Sequence, residues 1–101
     1  MRILKKPIQF DWDKGNIKKN LIKHNVAISE SEEVFSDINK ILLKTANKKY
    51  NEKRGILIGT TKNRRLLFTV YTIRKDKIRI ISVRDAHKKE RIIYEKRIKT
   101  T

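Results

Sequence analysis

The sequence predicts an α+β fold in which two N-terminal helices precede a four-stranded antiparallel sheet and a C-terminal helix. Helix start signals and apolar residues at helical spacing mark residues 13–35, whereas residues 38–84 contain four short β-rich runs with polar connections. Short connections favour antiparallel pairing of consecutive strands. With 101 residues, one Pro and three Gly, the chain suits a single domain over residues 1–101 with a modest core.

The first predicted helix extends from Lys14 to His24. Asp13 can cap its N-terminus, while Trp12 and Ile17 occupy the two positions of a hydrophobic staple. Asn25 suits the left-handed residue that ends a helix.

The second predicted helix is short and begins at Ser29. Ser29 and Glu32 have the Ser-x-x-Glu spacing of a capping box, and Val34 and Phe35 supply apolar anchors. Residues 25–39 include four acidic residues and no Lys or Arg, so this segment forms an acidic patch on a basic chain.

Four predicted strands follow, over residues 38–45, 55–61, 66–73 and 78–84. A turn at Lys75 and Asp76 pairs Ile73 with Ile78, and this pair fixes the later pairs of the last two strands. One face then carries Leu66, Phe68, Val70, Ile81 and Val83, with Thr72 and Arg79 at its edge. The opposite, polar face carries Arg65, Leu67, Thr69, Tyr71, Ser82 and Arg84. A loop of odd length would move one strand's side chains to the other face, so the polar face depends on this turn.

The C-terminal helix is predicted from Ala86 to about Lys96, with Asp85 as its cap. Its predicted buried stripe consists of Ile92, Ile93 and Tyr94.

Charge is the strongest compositional indication of function. The chain has 27 Lys and Arg against 11 Asp and Glu, a formal net charge of +16. A small domain with so large a positive charge attracts polyanions, of which nucleic acid is the commonest. Such binding weakens steeply as the salt concentration rises. The alternative is a basic surface that serves solubility alone.

Several classes of function are disfavoured by what the sequence lacks. There is no Cys, so disulfides and thiolate metal sites are excluded, and the two His are far apart, which makes a metal site improbable. No Gly-rich phosphate loop or other cofactor motif is present, so we expect no cofactor. The absence of a long apolar run or signal-peptide pattern predicts a cytoplasmic protein without membrane contact.

The predicted polar face offers groups that suit RNA. Arg65 and Arg84 can bind phosphate bidentately, Tyr71 can stack on an unpaired base, and Thr69 and Ser82 add hydroxyl groups. An ordinary solvated sheet face is the alternative interpretation.

Proton-transfer candidates are few. His24 is the first candidate, because histidine is the residue type whose unperturbed pKa lies near neutrality, although a cationic imidazole at a helix C-terminus is an equally good interpretation. Lys23 can hold a phosphate or extend into water. Glu90 can act as a base from the last helix, but a salt bridge to Arg91 or to a strand arginine is the more probable role. His87 is a weaker candidate, because a positive charge is disfavoured in the first turn of a helix.

A series of short motifs, in this order and spacing, resembles the BrnT toxin family over nearly the whole chain from Phe10 to Glu95. The motifs are Phe10-x-Trp12-Asp13, Asn20-Leu21-x-Lys23-His24-x-Val26, Glu33-Val34-Phe35-x-Asp37, Arg54 to Gly59, Arg65-Leu66-Leu67, Val70-Tyr71-Thr72-x-Arg74, Ile78-Arg79-Ile80-Ile81-Ser82-x-Arg84-x-Ala86 and Glu90-Arg91-x-x-Tyr94-Glu95. Asn16 stands where the first helix of the family commonly has Lys, and His87 where the last helix commonly opens with Thr.

The resemblance implies a RelE-like fold and the toxin half of a type II toxin-antitoxin system, a ribonuclease whose cleavage of RNA stops translation. It also implies a BrnA-like ribbon-helix-helix antitoxin that neutralises the toxin. Operator DNA would be contacted only by the complex of the two.

These observations together predict a metal-independent endoribonuclease in which a ribose 2′-hydroxyl attacks the adjacent phosphate. Arg65, Arg84 and Arg79 are the candidates for stabilising the phosphorane, and the candidates for binding the RNA are Lys23, Thr69, Arg79 and Ser82. His24 is the leading proton carrier, followed by Tyr71 and Glu90. The alternative is a non-catalytic RNA-binding protein or an antitoxin-bound regulatory subunit.

Overall fold

The structure is a computed structural model that describes residues 9–12, 15, 24–44 and 54–100. Helix α1 spans Ile28–Glu33 and continues as a 3₁₀ turn over Val34–Ser36, and helix α2 spans Lys88–Thr100. The strands are β1 (Ile41–Lys44), β2 (Arg54–Thr60), β3 (Leu66–Arg74) and β4 (Lys77–Asp85). They form one antiparallel sheet in the order β1-β2-β3-β4. The predicted α+β class and four-stranded antiparallel sheet are confirmed.

Most of the predicted first helix lies outside the described residues, although Gly15 and His24 are helical. Asn25 has φ 53°, which confirms the predicted left-handed residue after the helix. No described helix is long and apolar enough to cross a membrane.

Helix α1 begins one residue earlier than predicted and does not use the predicted Ser29–Glu32 capping box. The Ala27 N–H donates instead to the Glu30 carboxylate at 3.1 Å. Glu32 accepts a 2.7 Å hydrogen bond from the Trp12 indole, so its carboxylate serves a tertiary contact. Ser29 and Glu32 have the spacing of a capping box, but the Glu32 carboxylate binds Trp12, which is distant in sequence.

The β3–β4 hairpin confirms the predicted turn and corrects the predicted faces. Lys75 and Asp76 both have positive φ, which a two-residue hairpin turn requires, and Ile73 pairs with Ile78. The predicted register holds as far as Tyr71 and Ile80, and then a β-bulge at residue 81 shifts every later pair by one residue.

The bulge reverses the faces of the second half of β4. Ile80 and Val83 both face one core, with exposures of 1% and 0%, although they are three residues apart. Ser82 and Arg84 therefore move to the opposite face, beside Val70 and Phe68. An apolar side chain at each of positions 80 and 83 accounts for the bulge, because a regular strand would expose one of the two.

The sheet is consequently covered on both faces. The first face carries Leu57, Leu67, Thr69, Tyr71, Ile78, Ile80 and Val83, and it packs against Val26, Val34, Phe35, Phe10 and Trp12. The second face carries Ile56, Ile58, Leu66, Phe68, Thr72, Arg54, Arg79, Ser82 and Arg84. Tyr94 of α2 packs with Ile58 and Leu66 on this face, so α2 covers only part of it.

Helix α2 begins after the predicted position and buries less than predicted. Asp85 ends β4 and does not cap the helix; the His87 N–H donates instead to Glu90 at 2.7 Å. Tyr94 is buried, whereas Ile92 and Ile93 are 44% and 47% exposed, so the predicted stripe is wrong for both isoleucines. Tyr94 packs against the second face of the sheet, and Glu90 joins the helix to Arg84 of β4.

Candidate functional site

Arg65 and Arg84 were expected on one shared polar face, and this placement is wrong. Arg65 directly precedes β3, and its guanidinium binds Glu30 of α1 and Asp85 at the end of β4. Arg84 lies on the second face, with its guanidinium carbon 4.0 Å from the centre of the Phe68 ring. The β-bulge is the physical reason, because it reverses the side-chain direction of the second half of β4, which contains Arg84.

Arg65 is fully engaged inside the protein. Its Nε and Nη2 donate to the two carboxylate oxygens of Asp85 at 2.7 and 3.1 Å, and Nη1 donates to Glu30. Nη1 and Nη2 also donate to the backbone carbonyls of Asn25 and His24 at 2.9 and 3.1 Å. All five guanidinium N–H groups therefore have acceptors within the chain. The hydrogen bonds that Arg65 donates to Asp85 and Glu30 raise its pKa, so Arg65 holds β4, α1 and residues 24–25 together as a permanent cation.

His24 and Asp85 are joined through Arg65, because its Nη2 donates to the His24 carbonyl and to the Asp85 carboxylate, each at 3.1 Å. The Arg65 hydrogen bonds lower the pKa of Asp85 most, and the charges of Arg65, His24 and Arg91 lower it further. His24 is half-buried and Arg91 is exposed. We call this group, formed by His24, Arg65, Asp85 and Arg91, the β4-end cluster. It brings an imidazole, a carboxylate and a solvent-accessible guanidinium to one end of the sheet.

Arg84 and Glu90 form a second pair beside the β4-end cluster. The two guanidinium Nη atoms of Arg84 donate to the two oxygens of Glu90, both at 2.8 Å, and Nη1 also donates to the Asp85 carbonyl at 3.1 Å. The Arg84 hydrogen bonds, aided by the His87 N–H, lower the pKa of Glu90. Glu90 is thus a strand arginine's ion-pair partner, and its lowered pKa makes it a weak base near neutrality.

Tyr71 and Thr69 were expected to face RNA, and they face the first core instead. Tyr71 is 4% exposed and Thr69 is 0% exposed. The Tyr71 ring packs edge-on against Phe35 at 5.4 Å and lies over Gly55. Neither side chain reaches solvent in this structure.

Arg79 and Ser82 lie together on the second face. Ser82 is half-buried and pairs with Val70 in the middle of the sheet. Arg79 lies near the hairpin end and is 31% exposed. Within the described part of the chain, its one recorded partner is the Asp11 carboxylate at 4.0 Å, and its buried Nε makes no hydrogen bond.

Three further residues of interest were not predicted from the sequence. Asp85 was assigned to a helix cap, Arg91 only to an ion pair, and Arg54 to no role. Arg54 pairs with Thr72, which pairs in turn with Arg79, so two guanidiniums flank one threonine across three strands. The predicted register of the β3–β4 hairpin could have identified the pairing of Thr72 with Arg79, because the bulge at residue 81 leaves the register near the turn unchanged.

Two predictions, on Lys23 and on a metal site, are not tested by the structure. Lys23 lies outside the described residues. Within residues 9–12, 15, 24–44 and 54–100, no three His, Asp or Glu side chains are grouped so that they could hold a metal ion.

Comparison with known proteins gives one match to a sequence family and one to a crystal structure of the same type of protein. A family model described as "Ribonuclease toxin, BrnT, of type II toxin-antitoxin system" matches residues 12–90. The fold is similar to the crystal structure of the Brucella abortus ribonuclease toxin BrnT, with a TM-score of 0.61 and 17% sequence identity. That match covers 80% of this chain and 99% of the Brucella chain. No curated protein sequence gives a significant match.

Proposed function

Because this chain belongs to the BrnT family of ribonuclease toxins from type II toxin-antitoxin systems, we propose that it is a metal-independent endoribonuclease that acts at its β4-end cluster. The observation that carries this proposal is that one Arg65 nitrogen, Nη2, donates both to the His24 carbonyl and to the Asp85 carboxylate, which brings His24 and Asp85 to the same end of the sheet. A histidine beside a carboxylate is a common arrangement for proton transfer near neutral pH.

The reaction needs no protein nucleophile. The ribose 2′-oxygen bonds to the neighbouring phosphorus, its proton passes to His24, and the bond from phosphorus to the 5′-oxygen breaks. The departing 5′-oxygen takes up a proton, which leaves a 2′,3′-cyclic phosphate and a 5′-hydroxyl. The Asp85 carboxylate stabilises the imidazolium that forms on His24.

His87 is our candidate for the second proton carrier, in place of Tyr71 and Glu90. Tyr71 is buried, and Glu90 is held ionised by Arg84. His87 is exposed and follows Asp85 by two residues, so its backbone is at most about 7 Å along the chain from the Asp85 backbone. Both histidines therefore belong to the same end of the sheet.

Arg91 is the candidate for stabilising the phosphorane. Arg65 has no N–H left for a phosphate oxygen, and Arg84 is bidentately bound to Glu90. Arg91 is exposed and close enough to Asp85 to lower that residue's pKa. Lys23, next to His24 in sequence, is the candidate for an additional phosphate contact.

Purified protein, defined single-stranded RNA and EDTA test the proposal directly. We expect cleavage that leaves a cyclic phosphate, and a loss of at least about 100-fold in kcat for His24→Gln. Lys99→Gln, which removes an exposed charge from the last turn of α2, is the matched control. Intact RNA at protein excess, with binding still detected, would support a non-catalytic RNA-binding subunit and reject the nuclease.

We further propose that cleavage blocks translation in the cytoplasm and that a BrnA-like ribbon-helix-helix antitoxin relieves the block. Acidic side chains laid over the basic surface would offset the +16 charge and exclude RNA. Operator DNA would be bound only by the toxin-antitoxin complex. Expression should arrest growth, and co-expression of the adjacent gene should restore it; harmless expression would contradict this proposal.

A further inference from the structure

The hairpin end of the second sheet face bears two half-buried arginines that the proposed reaction does not use. Arg54, Thr72 and Arg79 occupy directly paired positions on β2, β3 and β4, so both guanidiniums project from the same face with one small side chain between them. Thr72 is buried at 3% exposure, which leaves the arginines as the polar surface of this row. The two arginines stand on alternate strands, roughly 10 Å apart across the sheet, so one RNA backbone can approach both of them.

Of the three arginines predicted for the site, Arg79 has the fewest hydrogen-bond acceptors among the described residues. Arg65 has acceptors for all its N–H groups and Arg84 has a bidentate carboxylate. Among the described residues, the carboxylate nearest to the Arg79 Nε is that of Asp11 at 4.0 Å, and this buried Nε lacks a hydrogen-bond acceptor there. Because the Arg79 side chain as a whole is 31% exposed, a phosphate oxygen can reach the outer part of its guanidinium and accept a charged hydrogen bond there.

We infer that Arg79 and Arg54 form a second phosphate-binding subsite that holds the RNA backbone at a distance from the phosphate that is cut. This inference rests on the proposed function. Arg79 and Asp85 are six residues apart on β4, which corresponds to roughly 20 Å of strand. At roughly 3.4 Å per stacked nucleotide, the two sites are separated by at most about six nucleotides of single-stranded RNA.

The surface between the two sites suits an RNA strand. Ser82 lies between Arg79 and Arg84 on the same face and is half-buried, so its hydroxyl is placed midway along the path. The Phe68 ring lies beside Arg84 at the far end. The substrate class is therefore an extended single strand long enough to reach from the β4-end cluster to the hairpin.

The test compares two substrates, a dinucleoside monophosphate that reaches only the β4-end cluster and a longer oligonucleotide that covers both sites. The wild-type protein should have the higher kcat/KM for the longer substrate. Arg79→Gln should lower kcat/KM about tenfold more for the longer substrate than for the dinucleoside, the loss expected for one charged hydrogen bond. Arg79→Lys should recover part of this loss, and Lys99→Gln should show no difference between the substrates.

Binding of a 2′-deoxy oligonucleotide of the same sequence separates this inference from the proposed function, because it cannot be cleaved by 2′-hydroxyl attack. Arg79→Gln should weaken its binding about tenfold. It should also reduce the slope of log K against log salt concentration by about 0.7, the value for one phosphate contact with a single strand. Equal affinities of Arg79→Gln and Lys99→Gln for this strand would overturn the subsite, whereas uncut RNA with normal Arg79-dependent binding would overturn only the nuclease.

Discussion

The Tyr94 hydroxyl donates a 2.5 Å hydrogen bond to the Asp37 carboxylate and thereby joins α2 to the loop before β1. The same carboxylate accepts hydrogen bonds from the Thr60 N–H at the end of β2 and from the Asn39 N–H. Burial alone would raise the pKa of Asp37, but the bonds from Tyr94, Thr60 and Asn39 outweigh it and lower the value. This contact is central to the attachment of α2, because Tyr94 is the helix's main buried side chain.

We expect Asp37→Asn to lower the free energy of unfolding by about 1–3 kcal/mol, because the amide cannot accept all of these hydrogen bonds. Urea unfolding measures the change. Asp76→Asn in the β3–β4 turn is the matched control, since Asn tolerates the positive φ there. Equal stability of the two variants would contradict a structural role for Asp37.

Acid should destabilise the protein through the carboxylates whose pKa values are lowered. Asp37, Asp85 and Glu90 bind protons more weakly in the folded than in the unfolded chain. Their stabilisation is therefore present above the ordinary values of 3.8 and 4.5 and is lost as the pH falls through the folded-state values. Unfolding free energies measured from pH 6 down to about pH 2 should decrease most steeply below about pH 4, and Asp37→Asn should flatten that decrease.

The Arg84–Glu90 ion pair should be coupled energetically. Both side chains are largely buried, at 26% and 16% exposure, and are joined by two 2.8 Å hydrogen bonds. We expect a double-mutant cycle of Arg84→Ala and Glu90→Gln to give a coupling free energy of about 1–2 kcal/mol. A coupling near zero would mean that the pair is no stronger than an exposed one.

The sequence predicted local features well, because they depend on neighbouring residues. Asn25 has the left-handed conformation and the Lys75–Asp76 turn is where it was expected, since both follow from local backbone preferences. The first half of the β3–β4 register followed from the turn alone. The fold class was predictable for the same reason.

The faces of the candidate site were not predictable from alternation, because a single inserted residue in β4 reverses it. Nothing in the local sequence at Ile81 marks the bulge; it becomes necessary only when Ile80 and Val83 must share a core. The hydrogen bonds of Arg65 were also missed, because they depend on residues that are distant in sequence. The acceptors, Glu30, Asp85 and two backbone carbonyls, come from three separate segments.

Gly55 should tolerate no side chain, because a Cβ there would lie 2.6 Å from Cζ of Tyr71. We expect Gly55→Ala to destabilise the protein by about 1–3 kcal/mol through overpacking. Tyr71→Leu removes the obstructing ring, so Gly55→Ala should cost less in that background. Thermal or urea unfolding of the wild type, the two single variants and the double variant tests this, and additive effects would contradict the contact.

The final prediction concerns the dependence of His24 on Asp85. If the carboxylate acts by stabilising the imidazolium, Asp85→Asn should lower kcat about tenfold, the effect of one weak charged interaction at a residue that is 63% exposed. His24→Gln should lower kcat by at least about 100-fold, and adding Asp85→Asn to it should cause little further loss, because residues that act as a unit are not additive. Glu30→Gln provides the control. It weakens the 3.1 Å ion pair between Arg65 and Glu30 but leaves the Asp85 carboxylate in place. Multiplicative losses in the double variant would show that Asp85 acts independently of His24, most simply by holding Arg65.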